Sequence, residues 1–456
     1  MALSLPHHDP FNFIQGHSES RRIMRLSLFQ GILLGVFGLG ALIGLFVFAT
    51  YSSNGGRDAV GSVVVWGTLP KDDMRAMFIA VAQTNSVLKD VSYEQKEPAT
   101  LPSELASAIA TGAAPDLVLA SQEVLFALTK FITPIGFDTL PPRAFTSTFV
   151  QGTEIFTGPD GYYGIPFLVD PLVLFYNRSI LSSNGIAKPP ATWEAMTGLV
   201  PNVAILTPAR QITRGLIALG TYGNVHDARG ILSALFLQAG APLSSYSASG
   251  APIADLGSMA SEGVPPGQAV LGFYTQFADP SKVSYTWNGS LSDSRQMFLV
   301  GDLALYLGYS SEARYLRSAN PNLNFDVAPL PQPATAATKK AYGLMYAFMI
   351  PRGAKNAAGA YQAAAILSNS TEQVVAADAA GLTPAVLDVL ATMPVDPAKA
   401  VSYAEALYTE GWLSPAPLDT DAVFSSMIGN VISGRSTPEA ALVSAERSLG
   451  ALLSQQ

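Results

Sequence analysis

From residue 62 onward, short apolar runs alternate with segments of helical period, and one long uncharged run precedes them all. Ser62 to Trp66 (SVVVW) is a continuous apolar run closed by Gly67 and Pro70, the pattern of a buried strand. From Asp72, the residues Met74, Met77, Phe78 and Val81 recur at helical spacing, with acids at the head that complement the helix dipole. Val87 to Tyr93 predicts a second strand. Thr100 to Gly112 predicts a helix with Leu105, Ala108 and Ile109 on one face and Gly112 as its stop. Pro115 and Asp116 lead into LVLA, a third strand. This β-α-β-α-β order predicts parallel strands joined by helical crossovers.

The stretch from Gly161 to Met196 breaks that rhythm. Leu172 to Asn177 (LVLFYN) reads as a buried strand, and the segment Pro166 to Pro171 before it is too rigid for a helix. It predicts an extended crossing between two lobes, with return crossings near Tyr342 to Tyr346 and Pro384. Beyond it, Val203 to Pro208 predicts a strand, Gln211 to Leu219 a helix, and Gly220 to Gly240 a glycine-rich turn followed by a helix. Leu243 to Pro266, rich in Ser, Ala, Gly and Pro, reads as loop. Helices are expected over Gly267 to Ala278, from Leu291, from Ala357, over Thr420 to Gly434 and after Thr437, with strands at Asn324 to Leu330 and Ala341 to Ile350. The expected fold class is α/β, two-lobed. The first lobe takes residues 62–169 plus about 346–385, and the second takes 170–345 plus about 386–456.

The long uncharged run is Leu26 to Tyr51. Gly31 to Tyr51 alone would reach about 32 Å as a helix, against a bilayer core of about 30 Å. Arg21, Arg22 and Arg25 precede it closely, so the positive-inside rule places residues 1–25 as a cytoplasmic tail, 26–51 as a single-pass anchor, 52–61 as a linker, and the rest outside the cell membrane. A cleaved signal peptide is the rival reading, with Val47 and Ala49 before Thr50 as the cleavage pattern. The run exceeds the length of a signal core and follows a long polar segment, which favours the anchor.

Composition narrows the chemistry. The 456 residues carry a net charge of −8 with scattered cations and no basic stripe, which excludes a nucleic-acid partner. No Cys is present, so disulfides and thiolate chemistry are excluded. His7 and His8 lack a third ligand nearby, and neither a metal site nor a cofactor is expected. No H-E-x-x-H, P-loop or G-x-S-x-G occurs, and only His226 lies beyond the N-terminal segment. The expectation is therefore a non-enzyme, although carboxylate pairs of a membrane-bound glycoside hydrolase would leave no local motif.

Ligands of open α/β sheets sit outside the carboxyl ends of strands, which brings forward Trp66, Ser121 and Gln122. Ordinary packing for Trp66 and a helix N-cap for Ser121 are the competing roles.

Four further motifs stand in a particular order: GIP, YN and G-I-x-x-P-P-x-T-W-E across Gly164 to Glu194; L-x-x-A-I-x-x-G-x-x-P-D-L-V across Leu105 to Val118; MFLVGDLALYLGY across Met297 to Tyr309; and Leu382-Thr383-Pro384-Ala385. This order resembles the extracellular solute-binding proteins of ABC importers, the maltose-type family, over about Val63 to Leu449. Asp302 and Leu305 depart from that family's usual Lys and Met, and the acylated cysteine of its lipid tether has no counterpart. The resemblance implies a type II periplasmic-binding fold and hinge closure on a small solute, most often a carbohydrate or oligosaccharide, for delivery to permease subunits. It also implies that Tyr222 and Asn224 face the ligand cleft, that Tyr309 and Ser310 enter it, and that Trp287 and Trp412 are stacking surfaces. An orphan receptor not coupled to transport is the alternative within binding proteins.

Overall fold

The computed structural model describes residues 60–247, 251–259 and 263–455. The expected cytoplasmic tail, the membrane span 26–51 and the linker up to residue 59 lie outside these residues. Among the described residues no helix is long and apolar enough to cross a membrane.

The first lobe opens as its periodicity predicts. Strand β1 (Val63–Gly67) is followed by α1 (Lys71–Thr84), β2 (Val91–Gln95), α2 (Leu101–Ala110) and β3 (Leu117–Ser121). β1 lies between β2 and β3 and is parallel to both. The second strand begins later than its apolar run suggests, because Ser86–Leu88 folds into a 3₁₀ turn whose entry is capped by Asn85.

The segment expected as a crossing followed by a strand is one element, β4 (Ile165–Asn177), a 13-residue strand buried almost throughout. Pro166 and Pro171 are tolerated because the strand changes neighbours along its length. Its first half pairs antiparallel with the strand Ala341–Met349, Pro171 opposite Gly343 and Ile165 opposite Phe348. Its second half pairs antiparallel with the strand Leu303–Tyr309, Leu172 opposite Tyr309 and Tyr176 opposite Leu305. At its end the Asn177 side chain accepts from Ile180 N at 3.0 Å and starts helix α3 (Arg178–Ser183).

The second lobe continues with β5 (Ile212–Ile217), α4 (Ala228–Gln238), α5 (Ser294–Val300), β6 (Leu303–Tyr309), α6 (Glu312–Ala319) and β7 (Phe325–Ala328). Gly301, at φ +86°, ends α5 and turns the chain directly into β6. β8 (Ala341–Met349) returns to the first lobe, and β9 (Thr383–Pro384) pairs with β4 through Thr383 opposite Val169. The chain closes with α7 (Pro397–Ala406), β10 (Thr409–Glu410), α8 (Pro417–Ile432) and α9 (Pro438–Leu453). Among the described residues, one 11-stranded sheet runs through both lobes, with β2, β1, β3, β8, β4, β6 and β5 adjacent in that order.

Two segments differ from the sequence reading. Gln211–Leu219, expected as a helix, holds strand β5 instead. Ile212, Thr213 and Gly215 are poor helix formers, and β5 pairs in parallel with β6, Leu303 opposite Gly215. Leu243–Pro266, expected as loop, carries a hairpin in which Leu243–Tyr246 pairs with Pro252–Asp255.

The buried side chains fall into two hydrophobic cores. One gathers residues from Val60 to Val169 and from Met345 to Leu390, with Tyr403 and Ala406. The other gathers residues from Leu172 to Tyr342, together with Ala398, Trp412 and the inner faces of α8 and α9. The division falls within β4 and within β8, so these strands are both core and connection.

Candidate functional site

Between the two cores lies a cleft of about 1130 Å³, walled by both lobes and floored by β4 and β8. The turns after β1 and β3 form one wall, through Thr68 and through Ser121 with Glu123. The start of α4, the end of β6 and the first turn of α6 form the other, with Asp421 of α8 at its edge. Asp170 of β4 and Tyr346 of β8 rise from the floor.

A charged network spans the cleft at its base. Arg229, in the first turn of α4, grips Glu123 of the first lobe in a two-pronged pair, Nε to Oε1 at 2.9 Å and Nη2 to Oε2 at 2.8 Å. Its Nη1 donates to Asp421 Oδ2 at 2.6 Å. The Tyr342 hydroxyl donates to Glu123 Oε1 at 2.7 Å, and the Tyr222 hydroxyl donates to Asp421. Burial opposes the charge on Arg229, but Glu123 and then Asp421 hold it firmly protonated.

A second network occupies the end of the cleft near β4. Asp170 Oδ1 accepts from Ser310 Oγ and from Ser311 N, each at 3.0 Å. Burial nevertheless raises its carboxyl to about 6. Asp227 adopts a left-handed backbone, φ +56°, just before α4. Burial, and then the carboxylates of Glu312 and Asp170, push its carboxyl well above the usual range. Glu312 accepts from Tyr306 Oη at 2.6 Å and from Tyr309 N at 3.1 Å.

Among the described residues, eight carboxylates line the cleft against three arginines, Arg229, Arg295 and Arg314, and one histidine. Its aromatic faces are four tyrosines, Tyr222, Tyr309, Tyr315 and Tyr346. Carboxylates and an anchored guanidinium fix hydroxyl-bearing ligands by directional hydrogen bonds, and tyrosine rings cover apolar faces.

Three of the nine residues singled out from sequence line the cleft: Ser121, Tyr222 and Tyr309. Ser121 is not spent on capping, since its hydroxyl makes no bond to the turn that follows. Three more stand directly behind it. Gln122 is fully buried and fastens β8, donating to Gly343 O at 2.9 Å and accepting from Met345 N at 2.7 Å. Asn224 donates to Asn288 O and Leu291 O, which fixes the loop ahead of α5. Ser310 holds Asp170 as described.

The three tryptophans are placed elsewhere. Trp66 lies under the Lys96 ammonium, 3.9 Å from the ring centre. Trp287 is fully buried in the second core and donates to Asn224 Oδ1 at 3.3 Å. Trp412, which the family resemblance implies is a stacking surface, is buried instead. Its indole N–H donates to Ser233 Oγ at 3.0 Å, and its ring stacks on Phe424.

Sequence reasoning did not single out Glu123, Arg229, Asp421, Asp170, Asp227 or Glu312. Asp170 carried a local signal, an acid inside an apolar run; the others carried none, because their partners are distant in sequence.

A family model for bacterial extracellular solute-binding proteins matches residues 81–404. No curated protein sequence matches the chain significantly. Among solved structures, the cyclic α-maltosyl-1,6-maltose binding protein of Arthrobacter globiformis aligns at TM-score 0.69 and 16% identity, over 87% of this chain and 99% of that one. The GacH receptor of Streptomyces glaucescens, solved unliganded and with acarbose, aligns at TM-score 0.65 and 16% identity, over 86% and 98%. A mannotriose-bound protein, CpMnBP1, aligns at TM-score 0.63 and 19% identity, over 85% and 99%. At such identities the structural likeness speaks for the fold, and the sequence match decides membership. The chain belongs to the bacterial extracellular solute-binding proteins.

Proposed function

We propose that this protein captures a small carbohydrate or oligosaccharide in the cleft between its lobes, closes on it by rotation about β4, β8 and β9, and presents it to the permease of an ABC importer. The observation that carries this reading is the cleft itself, lined by polar side chains and tyrosines and shared between two cores joined by three strand crossings. Its volume suits a ligand of oligosaccharide size, and sugar ligands of similarly folded proteins agree with it. Tyr309, Tyr222, Ser121 and Arg229 are the proposed contacts, with Gln122, Asn224 and Ser310 as their supports. Residues 26–51 are the proposed membrane anchor, which keeps the binding domain at the outer face of the cell membrane.

The protein is proposed to bind without catalysis. Incubating it with a panel of oligosaccharides tests both points. Thermal stabilisation with the sugar recovered intact supports capture. Release of shortened products would replace it with glycoside hydrolysis by the cleft carboxylates, and no stabilisation by any sugar would remove the carbohydrate assignment.

A further inference from the structure

We infer that the cleft wall carries a site for a first-row divalent metal ion such as zinc, held by His226 Nε2 and the carboxylates of Asp227 and Glu312. One donor atom from each of these residues lies within 4.8 Å of the other two. Two come from consecutive positions ahead of α4 and the third from the first turn of α6, so independent elements converge on the point. An imidazole with two carboxylates is a donor set for borderline ions, as distinct from the all-oxygen sets that suit calcium.

Two features of this point suit a cation. First, Asp227 Oδ2 is enclosed and receives no hydrogen bond. A carboxylate oxygen removed from water without a donor is costly, and a cation between it and Glu312 supplies the partner. Glu312 is already oriented by Tyr306 Oη and Tyr309 N, as a metal-binding carboxylate needs to be. Arg295 Nη1 stands 3.7 Å from Glu312 Oε2, on the side of that carboxylate bonded by Tyr306.

Second, the imidazole stands between two carboxylates, one near each ring nitrogen. His226 Nδ1 lies 3.5 Å from Asp293 Oδ2, while Nε2 is turned to Asp227 Oδ1 at 3.9 Å. A carboxylate beside the far nitrogen is a usual partner of a metal-ligating imidazole, and Asp293 stands at contact distance from it. The His226 main chain is itself fixed by Ser294 Oγ, 2.8 Å from its N–H. Zinc bonds of about 2.0–2.2 Å would draw the three donors together by side-chain rotation. Three protein donors leave a fourth position open, and these residues line the cleft.

The test is calorimetric titration of the chelator-stripped, full-length protein in detergent with zinc chloride and, separately, calcium chloride. One saturable zinc per chain is expected, with calcium bound at least about tenfold more weakly. His226→Ala and Asp227→Asn should each weaken zinc by at least about tenfold. Asp293→Asn keeps the cap of α5 but loses the orienting charge, and should cost about tenfold. Glu97→Gln removes a cleft carboxylate outside the set and should cost nothing. Circular dichroism confirms folding, and His226→Ala carries the test should Asp227→Asn not fold. Absence of saturable zinc uptake would mean that Asp227 and Glu312 share only a proton, and would overturn the proposal. So would equal losses in Glu97→Gln and His226→Ala, unchanged affinity in His226→Ala, or calcium bound as well as zinc.

Discussion

Tyr309 sits directly over Gly230. A Cβ built on Gly230 would lie 2.6 Å from the Tyr309 hydroxyl and 3.3 Å from its ring carbon Cζ. This proposed ligand contact is therefore seated by the absence of a side chain at position 230 of α4. Gly230→Ala should destabilise the fold by about 1–3 kcal/mol and weaken solute binding. Tyr309→Phe removes the atom in the way, so the double variant should recover most of that stability. Denaturant unfolding of the two single variants and the double checks this, and additive losses would contradict it.

Arg229 and Glu123 join the lobes through a largely buried pair. Arg229→Met should cost about 3–5 kcal/mol, because it strands the Glu123 carboxylate away from water. Glu123→Gln combined with Arg229→Met should regain much of that loss. Urea unfolding midpoints measure both.

Glu405, on α7, is buried with one long hydrogen bond, from Leu330 N at 3.4 Å, and burial raises its carboxyl to about 7. Between the ordinary value of 4.5 and that raised value, the folded state holds a proton that the unfolded chain has released. Stability from this group therefore falls as pH rises through that window. Glu405→Gln should be more stable than the parent at pH 8, by about 3 kcal/mol, and indistinguishable from it below pH 4.5. Thermal unfolding across pH reads the difference directly.

Trp412→Phe should lower stability by about 1–3 kcal/mol, because Ser233 Oγ, itself buried, loses its indole donor. Solute affinity should not change, since the ring faces Phe424 and the second core. A loss of affinity at unchanged stability would restore the stacking role that the sequence suggested.

That contrast shows what the sequence made legible. Periodicity located β1, α1, α2, β3, α8 and α9, because each signals its buried face locally. Pro166, Pro171 and Pro384 marked the crossings, because proline restricts the backbone wherever it stands. Gln211 to Leu219 misled, because pairing with β6 settled its conformation. The charged network was hidden for the same kind of reason. Glu123 and Arg229 stand 106 positions apart, and nothing near either one announces the other. The tryptophans drew attention as large aromatic surfaces, yet the cores took Trp287 and Trp412 and left the cleft to tyrosines.

The long strand β4 has a mechanical consequence. Residues 165–171 are laced to β8 and residues 172–176 to β6, so neither half is free to swivel on its own. Turning one lobe against the other would twist β4 over a few peptide units around Pro171, where the lacing changes sides, together with the crossings at β8 and β9. Asp170 is clamped at that changeover by Ser310 and Ser311. The protein is thus built like a torsion bar with a clip at its midpoint. Loosening that clip should make β4 easier to twist.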